Sequence, residues 1–554
     1  MMFISKEAME KIGAKFVIDR IQTQTPYGNK AKKEMKPYEI GQEEDLRQHL
    51  NIIEEVTRLI GNHRYTFVEI RNQFKKLKDL SGSFERIQSG EALSVPELFE
   101  IKSLTIGIRE IAGAMEGLVW DVPASLKVER LNEVEALLDP ESQGINTFYL
   151  YDAYSEELSS VRKAIKKLDD ELKFIGKEKR LRVEDKLGIR VRPNGEVTVS
   201  KENKEMIHAL EACEDLSYSA ETYMNITYRI REDERVDAIQ AQKEQLIQEE
   251  DAENYRVREM LSESLKDHVD ALIRNTGAIG QFDLIIAKCY FGIGFNCIKP
   301  TILDTSSNRI FHLNIEKGRH PAVEERLKRE EKAYKPVSIQ VNEGVTCITG
   351  ANMGGKTVTL KMIGNLVWLA QMGLFVPAES MSLSLRNFIF VSIGDEQDVD
   401  LGLSTFGGEI VKVSKAVELS SHQGLILIDE LARGTNPKEG YAISKALINQ
   451  LKTRSSITLI TTHFDGLADA DDVMHLQVCG LQNVDFSKLK NEIDDPEVGM
   501  DILHDLMDYR LKVIHNPQEV PKDAVRIAHL MGLDQDILED ARSILNEFNQ
   551  EESL

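Results

Sequence analysis

A glycine-rich segment carries the strongest chemical signal in the sequence. Residues 350–357 read Gly-Ala-Asn-Met-Gly-Gly-Lys-Thr, between an apolar run and a helical pattern, which is the context of a phosphate-binding loop. Glycine allows a tight turn whose amides face phosphate oxygens, Lys356 can reach the β- and γ-phosphates, and the Thr357 hydroxyl can bind Mg²⁺. The predicted nucleotide-binding residues are Gly350, Asn352, Met353, Gly354, Gly355, Lys356 and Thr357.

A second motif ends in two adjacent carboxylates. Residues 424–430 place a run of apolar residues before Asp429 and Glu430, which predicts a buried strand with two acidic side chains at its end. Asp429 is suited to bind Mg²⁺, and Glu430 is suited to orient the water that attacks a γ-phosphate. Together with the phosphate loop, this motif predicts hydrolysis of a nucleoside triphosphate.

Two further polar segments have the composition of phosphate-binding sites. Residues 401–409 place Ser404 among small residues before a helical pattern at 410–419, and such a helix N-terminus can bind phosphate. This second site could complete the phosphate loop of a partner chain. The apolar run 457–461 leads to His463, which could sense the γ-phosphate or the attacking water. A purely structural histidine is the alternative.

Strand-like and helical stretches alternate in the second half of the chain. Apolar runs occur at 345–349, 388–393, 425–428 and 457–461, with helical patterns between them. Such alternation predicts βαβ units and a largely parallel sheet. The predicted fold class is therefore α plus α/β, with a long helical region ahead of a domain built on a mostly parallel sheet.

The first half of the chain reads as mostly helical. Apolar residues recur at gaps of three and four over 46–60, and Ser94 with Glu97 forms a capping-box pattern ahead of another helix. Alternation around an Asn-Gly pair predicts a β-hairpin over 189–199. The segment 203–275 contains no proline or glycine, and it predicts one long helical arm, formed as a single rod or as a paired coil.

Composition excludes several classes of protein. The 554 residues are 42% hydrophobic and 29% charged, as in globular domains, and the net charge is −23. An acidic chain is not a general polyanion binder, so contact with DNA would need a local basic patch. The five cysteines show no Cys-x-x-Cys spacing, which fits a reducing cytoplasm. We find no secretory signal and no apolar run of about 18 residues, so no membrane span is expected.

The order of these motifs resembles the ATPase domain of the MutS family, a branch of the ABC-type ATPases. Four further segments are similar to family motifs: 318–321 (Gly-Arg-His-Pro), 429–435 (Asp-Glu-Leu-Ala-Arg-Gly-Thr), 462–464 (Thr-His-Phe) and the helical 525–533. Details at four positions resemble the second bacterial MutS type, which lacks a mismatch-reading domain: 355–361, 394–397, 403–406 and 436–440.

The resemblance implies a cofactor, a partner and a division of the chain. ATP with Mg²⁺ would bind in a P-loop ABC-type ATPase domain at 281–554 that includes the C-terminal helices. Residues 1–280 would form a helical core and lever region with a shortened clamp at about 156–235. Tyr334 would stack on adenine, and Ser404 would reach the nucleotide of a partner in a homodimer or a heterodimer with a related chain.

Departures from the family pattern leave the biological role open. About 40 residues precede the first lever-like helix, too few for a mismatch domain, and no C-terminal nuclease module is expected. Residues 162–192 hold twelve Lys and Arg against six Asp and Glu, which is either a DNA-tracking patch or a solvated helical face. One function is a DNA-binding ATPase that acts on branched or damaged DNA without reading mismatches. The other is ATP-driven remodelling of a protein client, such as a cobalamin-dependent aminomutase.

Overall fold

The structure is a computed structural model. It describes residues 2–304, 312–350, 355–394, 405–432, 435–464, 466–470, 472–480, 507–514, 525, 528 and 533–551. The chain divides into two compact units. The sheet-rich unit comprises Met1–Gln24, Gly28–Val68 and Gly280–Leu554, and the helical unit comprises Thr25–Tyr27 and Glu69–Ile279. The predicted domain division at 280/281 and the clamp limits stay predictions.

The described helices follow one another along the chain. They are α1 (Lys6–Lys11), α2 (Ala14–Arg20), α3 (Pro26–Lys33), α4 (Glu43–Asn62), α5 (Arg64–Phe74), α6 (Ser81–Gln88), α7 (Val95–Glu116), α8 (Asn132–Leu138), α9 (Glu156–Leu187), α10 (Lys204–Glu211), α11 (Glu234–Lys266), α12 (Val269–Gly294), α13 (Pro321–Arg329), α14 (Lys356–Gln371), α15 (Thr405–Leu419), α16 (Pro437–Leu451) and α17 (Gln535–Glu551).

The described strands form three sheets. They are β1 (Glu196–Ser200), β2 (Leu216–Glu221), β3 (Asn225–Ile230), β4 (Thr301–Leu303), β5 (Leu313–Gly318), β6 (Val337–Val341), β7 (Gly344–Thr349), β8 (Ser380–Ser384), β9 (Ile389–Ser392), β10 (Leu425–Ile428), β11 (Ile457–Thr461), β12 (Val473–Gly480) and β13 (Asp508–Val513).

The largest sheet confirms the predicted fold class. Its six strands lie in the order β13-β12-β7-β11-β10-β9, and every neighbouring pair is parallel except β12 with β13. All residues of β7, β10 and β11 are buried, as expected for parallel strands covered on both faces by helices. A second, four-stranded sheet in the same unit has the order β4-β8-β5-β6.

Two helical predictions are confirmed in detail. The apolar stripe predicted over 46–60 lies on α4, where Leu46, Leu50 and Ile53 are buried. The capping box starts α7: the Ser94 hydroxyl accepts from the Glu97 backbone, and the Glu97 carboxylate accepts from the Ser94 N–H at 2.9 Å. Both bonds satisfy amides that a helix start leaves without intrahelical partners.

The predicted hairpin at 189–199 is wrong. The turn exists, but residues 189–193 form no strand, and β1 pairs instead with β3. Pro193 has no N–H to donate to a ladder, and the Val191 N–H donates to the Glu184 carboxylate at 2.9 Å. The Arg192 N–H does donate across the turn, to the Glu196 carbonyl at 3.0 Å, but the pairing does not continue into a strand over 189–193.

The single arm predicted over 203–275 is also wrong. Two strands, β2 and β3, interrupt it between α10 and α11, and they pair as an antiparallel hairpin. Tyrosine, threonine and isoleucine dominate β3, residues that favour strands over helices. With β1 they form a three-stranded sheet in the order β1-β3-β2. Among the described residues, no helix is both long and apolar enough to cross a bilayer.

Candidate functional site

The site lies where the parallel strands of the six-stranded sheet end. Strands β7, β11 and β10 are adjacent, with Ile348 opposite Thr461 and Ile460 opposite Ile428. The residues that follow β7 and β10 therefore emerge side by side with the end of β11. Crevices at the carboxyl edge of an open parallel sheet are the usual ligand sites of such folds.

Asp429 is the centre of the polar contacts at this edge. Its Oδ2 accepts a hydrogen bond from the Thr357 hydroxyl at 2.7 Å, and its Oδ1 accepts one from the Thr461 hydroxyl at 2.5 Å. Its backbone N–H donates to the Ser392 carbonyl at 2.8 Å, which extends the pairing with β9. The first contact joins the predicted phosphate loop to the predicted carboxylate strand.

The phosphate loop leads directly into α14. Gly355, which precedes the helix, has a φ of 76°, a left-handed conformation that glycine adopts without a Cβ penalty. Lys356 is only 4% exposed, and its ammonium donates to the Gly350 carbonyl at 2.7 Å. The lysine head therefore lies over the start of the loop. Asn352, Met353 and Gly354 lie outside the described residues.

Glu430 follows Asp429 in an unusual backbone conformation. Its N–H donates to the Thr461 hydroxyl at 3.0 Å, and its φ is 51°. A side chain is uncommon in this left-handed region, and such residues cluster at functional sites. The Thr461 hydroxyl at the end of β11 thus binds both acidic residues: Asp429 through its carboxylate and Glu430 through its backbone N–H.

The remaining predicted residues are placed unequally. His463 is exposed two residues beyond β11, with its ring centroid 4.5 Å from that of Phe464. Ser404 lies outside the described residues, although α15 begins at the next residue, Thr405. Among the described residues, His463 and Glu430 are not joined by a hydrogen bond or an ion pair.

Tyr334 lines a cleft beside the phosphate loop. The cleft has a volume of about 200 Å³ and is also lined by Gly355, Val358 and Tyr509. Burial raises the pKa of Tyr334 to about 12, so its hydroxyl stays protonated at neutral pH. The ammonium of Lys335 donates to the Met507 carbonyl at 2.9 Å and lies 5.9 Å from the Tyr509 ring centroid.

Two residues of the site were missed by sequence reasoning. Tyr509 on β13 contacts the loop so closely that a Cβ on Gly355 would lie 2.6 Å from its ring. His475 on β12 is bonded to the Thr349 hydroxyl at 2.8 Å, one residue before the loop. Both reach the site because β12 and β13 extend the sheet beyond β7. No local sequence pattern predicts that these strands pair there.

The donor set fits a magnesium–nucleotide complex better than a metal held by protein alone. No group of three or more His, Cys, Asp or Glu side chains in the described ranges could hold a metal ion. Mg²⁺ is usually bound by one or two carboxylates or hydroxyls together with substrate phosphates. The hydroxyl of Thr357 beside the carboxylate of Asp429 supplies such a partial set.

The fold and this edge define the class: a P-loop nucleotide-binding fold with a mostly parallel sheet. The family described as MutS domain V matches residues 346–549. The chain is 27% identical over 563 aligned positions to Endonuclease MutS2 of Halothermothrix orenii, covering 96% of this chain and 64% of that protein. It is 32% identical over 308 positions to Endonuclease MutS2 of Agathobacter rectalis, covering 55% of this chain and 35% of that protein.

Residues 346–549 match MutS domain V, and most of the chain is similar to MutS2 proteins, which confirms the resemblance seen in the motifs. It spans 64% of the length of the Halothermothrix orenii protein. The match to domain V covers the phosphate loop, the carboxylate strand and β11, whereas Tyr334 lies before the matched residues.

Proposed function

We propose that the chain binds ATP with Mg²⁺ at 350–357 and hydrolyses it, and that this cycle switches a dimer that binds DNA. The observation that carries the proposal is the 2.7 Å bond between the Thr357 hydroxyl and the Asp429 carboxylate. It brings the last residue of the phosphate loop to the first carboxylate of the second motif. Thr357 and Asp429 would hold Mg²⁺, which would neutralise charge on the phosphates.

Each side chain at the edge has a role in this reaction. Lys356 would bind the β- and γ-phosphates, and the N-terminus of α14 would add favourable partial charge. Glu430 would orient the attacking water in line with the γ-phosphate, while His463 would contact that water or the γ-phosphate. Adenine would stack on Tyr334 in the cleft next to Gly355, where Tyr509 forms part of the wall.

A pair of variants tests hydrolysis. Glu430→Gln keeps the shape of the side chain but removes the charge that orients water, so turnover should fall by about 100-fold or more while ATP affinity persists. Lys356→Ala should lose both turnover and affinity for ATP, because the lysine would bind the phosphates. Glu418→Gln is the matched control. Glu418 is exposed on α15, so this variant should hydrolyse ATP at the normal rate. Normal turnover in Glu430→Gln would exclude this assignment.

The same Glu430→Gln protein tests the dimer. We propose that Ser404, at the start of α15, reaches the nucleotide of a homodimer partner or of a related chain. ATP trapped by Glu430→Gln should then double the mass measured by light scattering, and adding Ser404→Arg should prevent this, because a bulky cation does not fit a phosphate contact. A monomer that hydrolyses ATP without any partner chain would count against the proposal.

DNA contact is proposed for the helical unit. A cleft of about 520 Å³ lies between α9, the turn at 193–195 and β3, and we name its basic residues the basic cleft: Lys173, Lys177, Lys179, Arg180, Arg229 and Arg231. Glu232 is the acidic residue in its lining. A cluster of this sign in a chain of net charge −23 favours a phosphate-binding surface over a merely solvated helix.

We propose branched or damaged DNA as the substrate of the switch, in repair or recombination in the cytoplasm. The relatives that match are described as MutS2 proteins, and the remodelling of a cobalamin-dependent enzyme gains no support from them. Stimulation of the ATPase by branched duplex, compared with homoduplex and with host protein fractions, separates the two functions. Stimulation by a protein fraction after nuclease treatment would exclude DNA as the substrate.

A further inference from the structure

A glutamate on α15 is bonded to the segment that carries Glu430. The Glu409 carboxylate accepts a hydrogen bond from the Ala432 N–H at 2.7 Å. Ala432 lies two residues beyond Glu430, in the short stretch that follows β10. A bond from a backbone amide to a carboxylate is charge-assisted and about twice as strong as one between neutral groups.

The segment that Glu409 holds has a strained backbone. Glu430 has a φ of 51° and Ala432 has a φ of 61°, so two non-glycine residues adopt the left-handed conformation within three positions. Each such residue costs about 1–2 kcal/mol, and it persists only where its surroundings fix it. Upstream, the segment is fixed by the bond from the Glu430 N–H to the Thr461 hydroxyl. Downstream, the bond to Glu409 fixes it.

The position of Glu409 follows from the packing of α15. Val413 and Ala416 lie four and seven positions after Glu409, so all three share one face of the helix. Val413 and Ala416 are buried in one apolar cluster with Leu431 and Ala432. This face is therefore pressed against the segment beyond β10, which places the Glu409 carboxylate at the backbone of Ala432.

We propose that Glu409 is a positioning residue for Glu430. By fixing the N–H of Ala432, it holds the left-handed turn that directs the Glu430 carboxylate to the attacking water. The inference rests on the proposed function, since it needs Glu430 to act in hydrolysis. It also gives α15 two tasks: the helix begins directly after Ser404, the proposed contact to a partner's nucleotide, and it holds the hydrolytic carboxylate of its own chain.

Three substitutions on α15 test the inference in the 554-residue chain. Glu409→Ala removes the acceptor and should lower kcat by about 10- to 100-fold with KM and nucleotide affinity unchanged, as expected for a misplaced reacting group. Glu409→Gln keeps an oxygen that can accept from the Ala432 N–H, so it should retain most of the activity. Glu418→Ala, on an exposed position of the same helix, is the control and should leave kcat unchanged.

The outcome separates this inference from the proposed function. Turnover that stays normal in Glu430→Gln refutes hydrolysis by that carboxylate. Loss of turnover in Glu430→Gln together with normal turnover in Glu409→Ala refutes the positioning role alone, and so does a Glu409→Gln enzyme as slow as Glu409→Ala. If both residues serve one task, Glu409→Ala should slow the Glu430→Gln enzyme no further. A lower affinity for a fluorescent ATP analogue in Glu409→Ala would instead indicate damage to the nucleotide site.

Discussion

The two sheets of the molecule that carry proposed functions differ in how much of each strand is buried. In the six-stranded sheet, every residue of β10 and β11 is buried. In the three-stranded sheet, β2 buries only Leu216, its first residue, and the rest is at least partly exposed. The first sheet can hold side chains in fixed positions, because its central strands are packed on both faces. The second has one apolar face, and it presents side chains to solvent.

The difference extends to the chemistry that each sheet supports. At the edge of the buried sheet, Asp429 receives two hydroxyl hydrogen bonds, so its orientation is determined by the fold. On the exposed sheet, the tip of the β2–β3 hairpin places Tyr223 and Met224 at 97% and 68% exposure. Hydrolysis needs the first kind of site, whereas contact with the backbone of a long polymer needs only charge and access.

Buried lysines show the same contrast in the interiors of the two units. In the helical unit, Lys102 is fully buried and forms an ion pair with Asp139 at 3.1 Å. In the sheet-rich unit, Lys288 on α12 donates to the carbonyls of Met372 and Gly373 at 3.0 and 3.2 Å, just beyond the end of α14. The first lysine neutralises a buried carboxylate, and the second relies on the negative end of a helix.

The largest effect on stability is therefore expected for the paired lysine. Lys102→Met should destabilise the helical unit by about 3–5 kcal/mol, because Asp139 would remain buried without its cation. Lys288→Met leaves no carboxylate without its ion-pair partner, so it should destabilise the sheet-rich unit by a smaller amount. Hydrogen exchange followed by mass spectrometry reports the opening of each unit separately. An equal loss in both variants would contradict the contrast between the two interiors.

The pH dependence of the two variants sharpens this test. Burial lowers the pKa of Lys288 from its ordinary 10.5 to about 7. Between about pH 7 and pH 10.5 the unfolded chain binds a proton that the folded chain does not, so stability rises with pH by up to about 1.4 kcal/mol per unit. Lys288→Met should lose this rise. Burial tends to raise the pKa of Asp139, but the Gly144 amide and Lys102 lower it below its ordinary range. The stability that Asp139 contributes is therefore lost only in acid. Lys102→Met should keep the rise in stability between pH 7 and pH 10.5, because that rise comes from Lys288.

A pair of threonines, Thr461 buried at the end of β11 and Thr198 exposed on β1, tests the contrast between the two sheets. The Thr461 hydroxyl donates to Asp429 and accepts from the Glu430 N–H, whereas the exposed Thr198 hydroxyl on β1 meets that of Thr227 across the strands at 3.2 Å. Thr461→Val should slow ATP turnover by roughly 10- to 100-fold, because both acidic residues lose a contact. Thr198→Val should leave turnover and DNA binding unchanged. Equal effects in the two variants would show that the polar edge does not orient the carboxylates.

What the sequence could predict follows the same division. The bounds predicted for β10 and β11, 425–428 and 457–461, agree with the structure, because a fully buried strand must be an uninterrupted apolar run. The hairpin β2–β3 was missed, because its exposed residues follow no clean alternation and lie between polar helices. A half-exposed sheet leaves a weak pattern, and the absence of proline and glycine is compatible with strands as well as with helices.

The candidate site was predictable to the extent that its contacts are local. The phosphate loop and the carboxylate strand follow from motifs, and their meeting through Thr357 and Asp429 follows from the roles those motifs have. Tyr509 and His475 could not be predicted, since β12 pairs with β7 across more than a hundred residues and β13 joins the sheet through β12. Glu409 lies within a predicted motif, but its hydrogen bond to the Ala432 N–H depends on how α15 packs, which the sequence does not show.

The smallest effect is expected in the basic cleft, where charge acts without precise geometry. Lys179 is bonded to Asp233 at 2.8 Å, so it is a poor candidate for phosphate contact. Lys177, Arg180 and Arg229 form no ion pair within the ranges that the structure describes. Replacing these three with Ala should weaken binding to branched duplex alike for all sequences. The slope of log K against log salt should become less steep by up to about 2.7, because each phosphate contact contributes about 0.9.

The control for this variant changes the net charge equally at another place. Lys6, Lys33 and Lys36 are exposed in the sheet-rich unit, and replacing them with Ala removes the same three charges. If the cleft contacts DNA, only the first triple variant should change the salt slope, and ATP turnover without DNA should remain normal in both. Equal changes in the two variants would mean that net charge alone governs binding, and the basic cleft would then have no specific part in it. Matched and mismatched duplexes should bind equally, since phosphate contacts carry no base information.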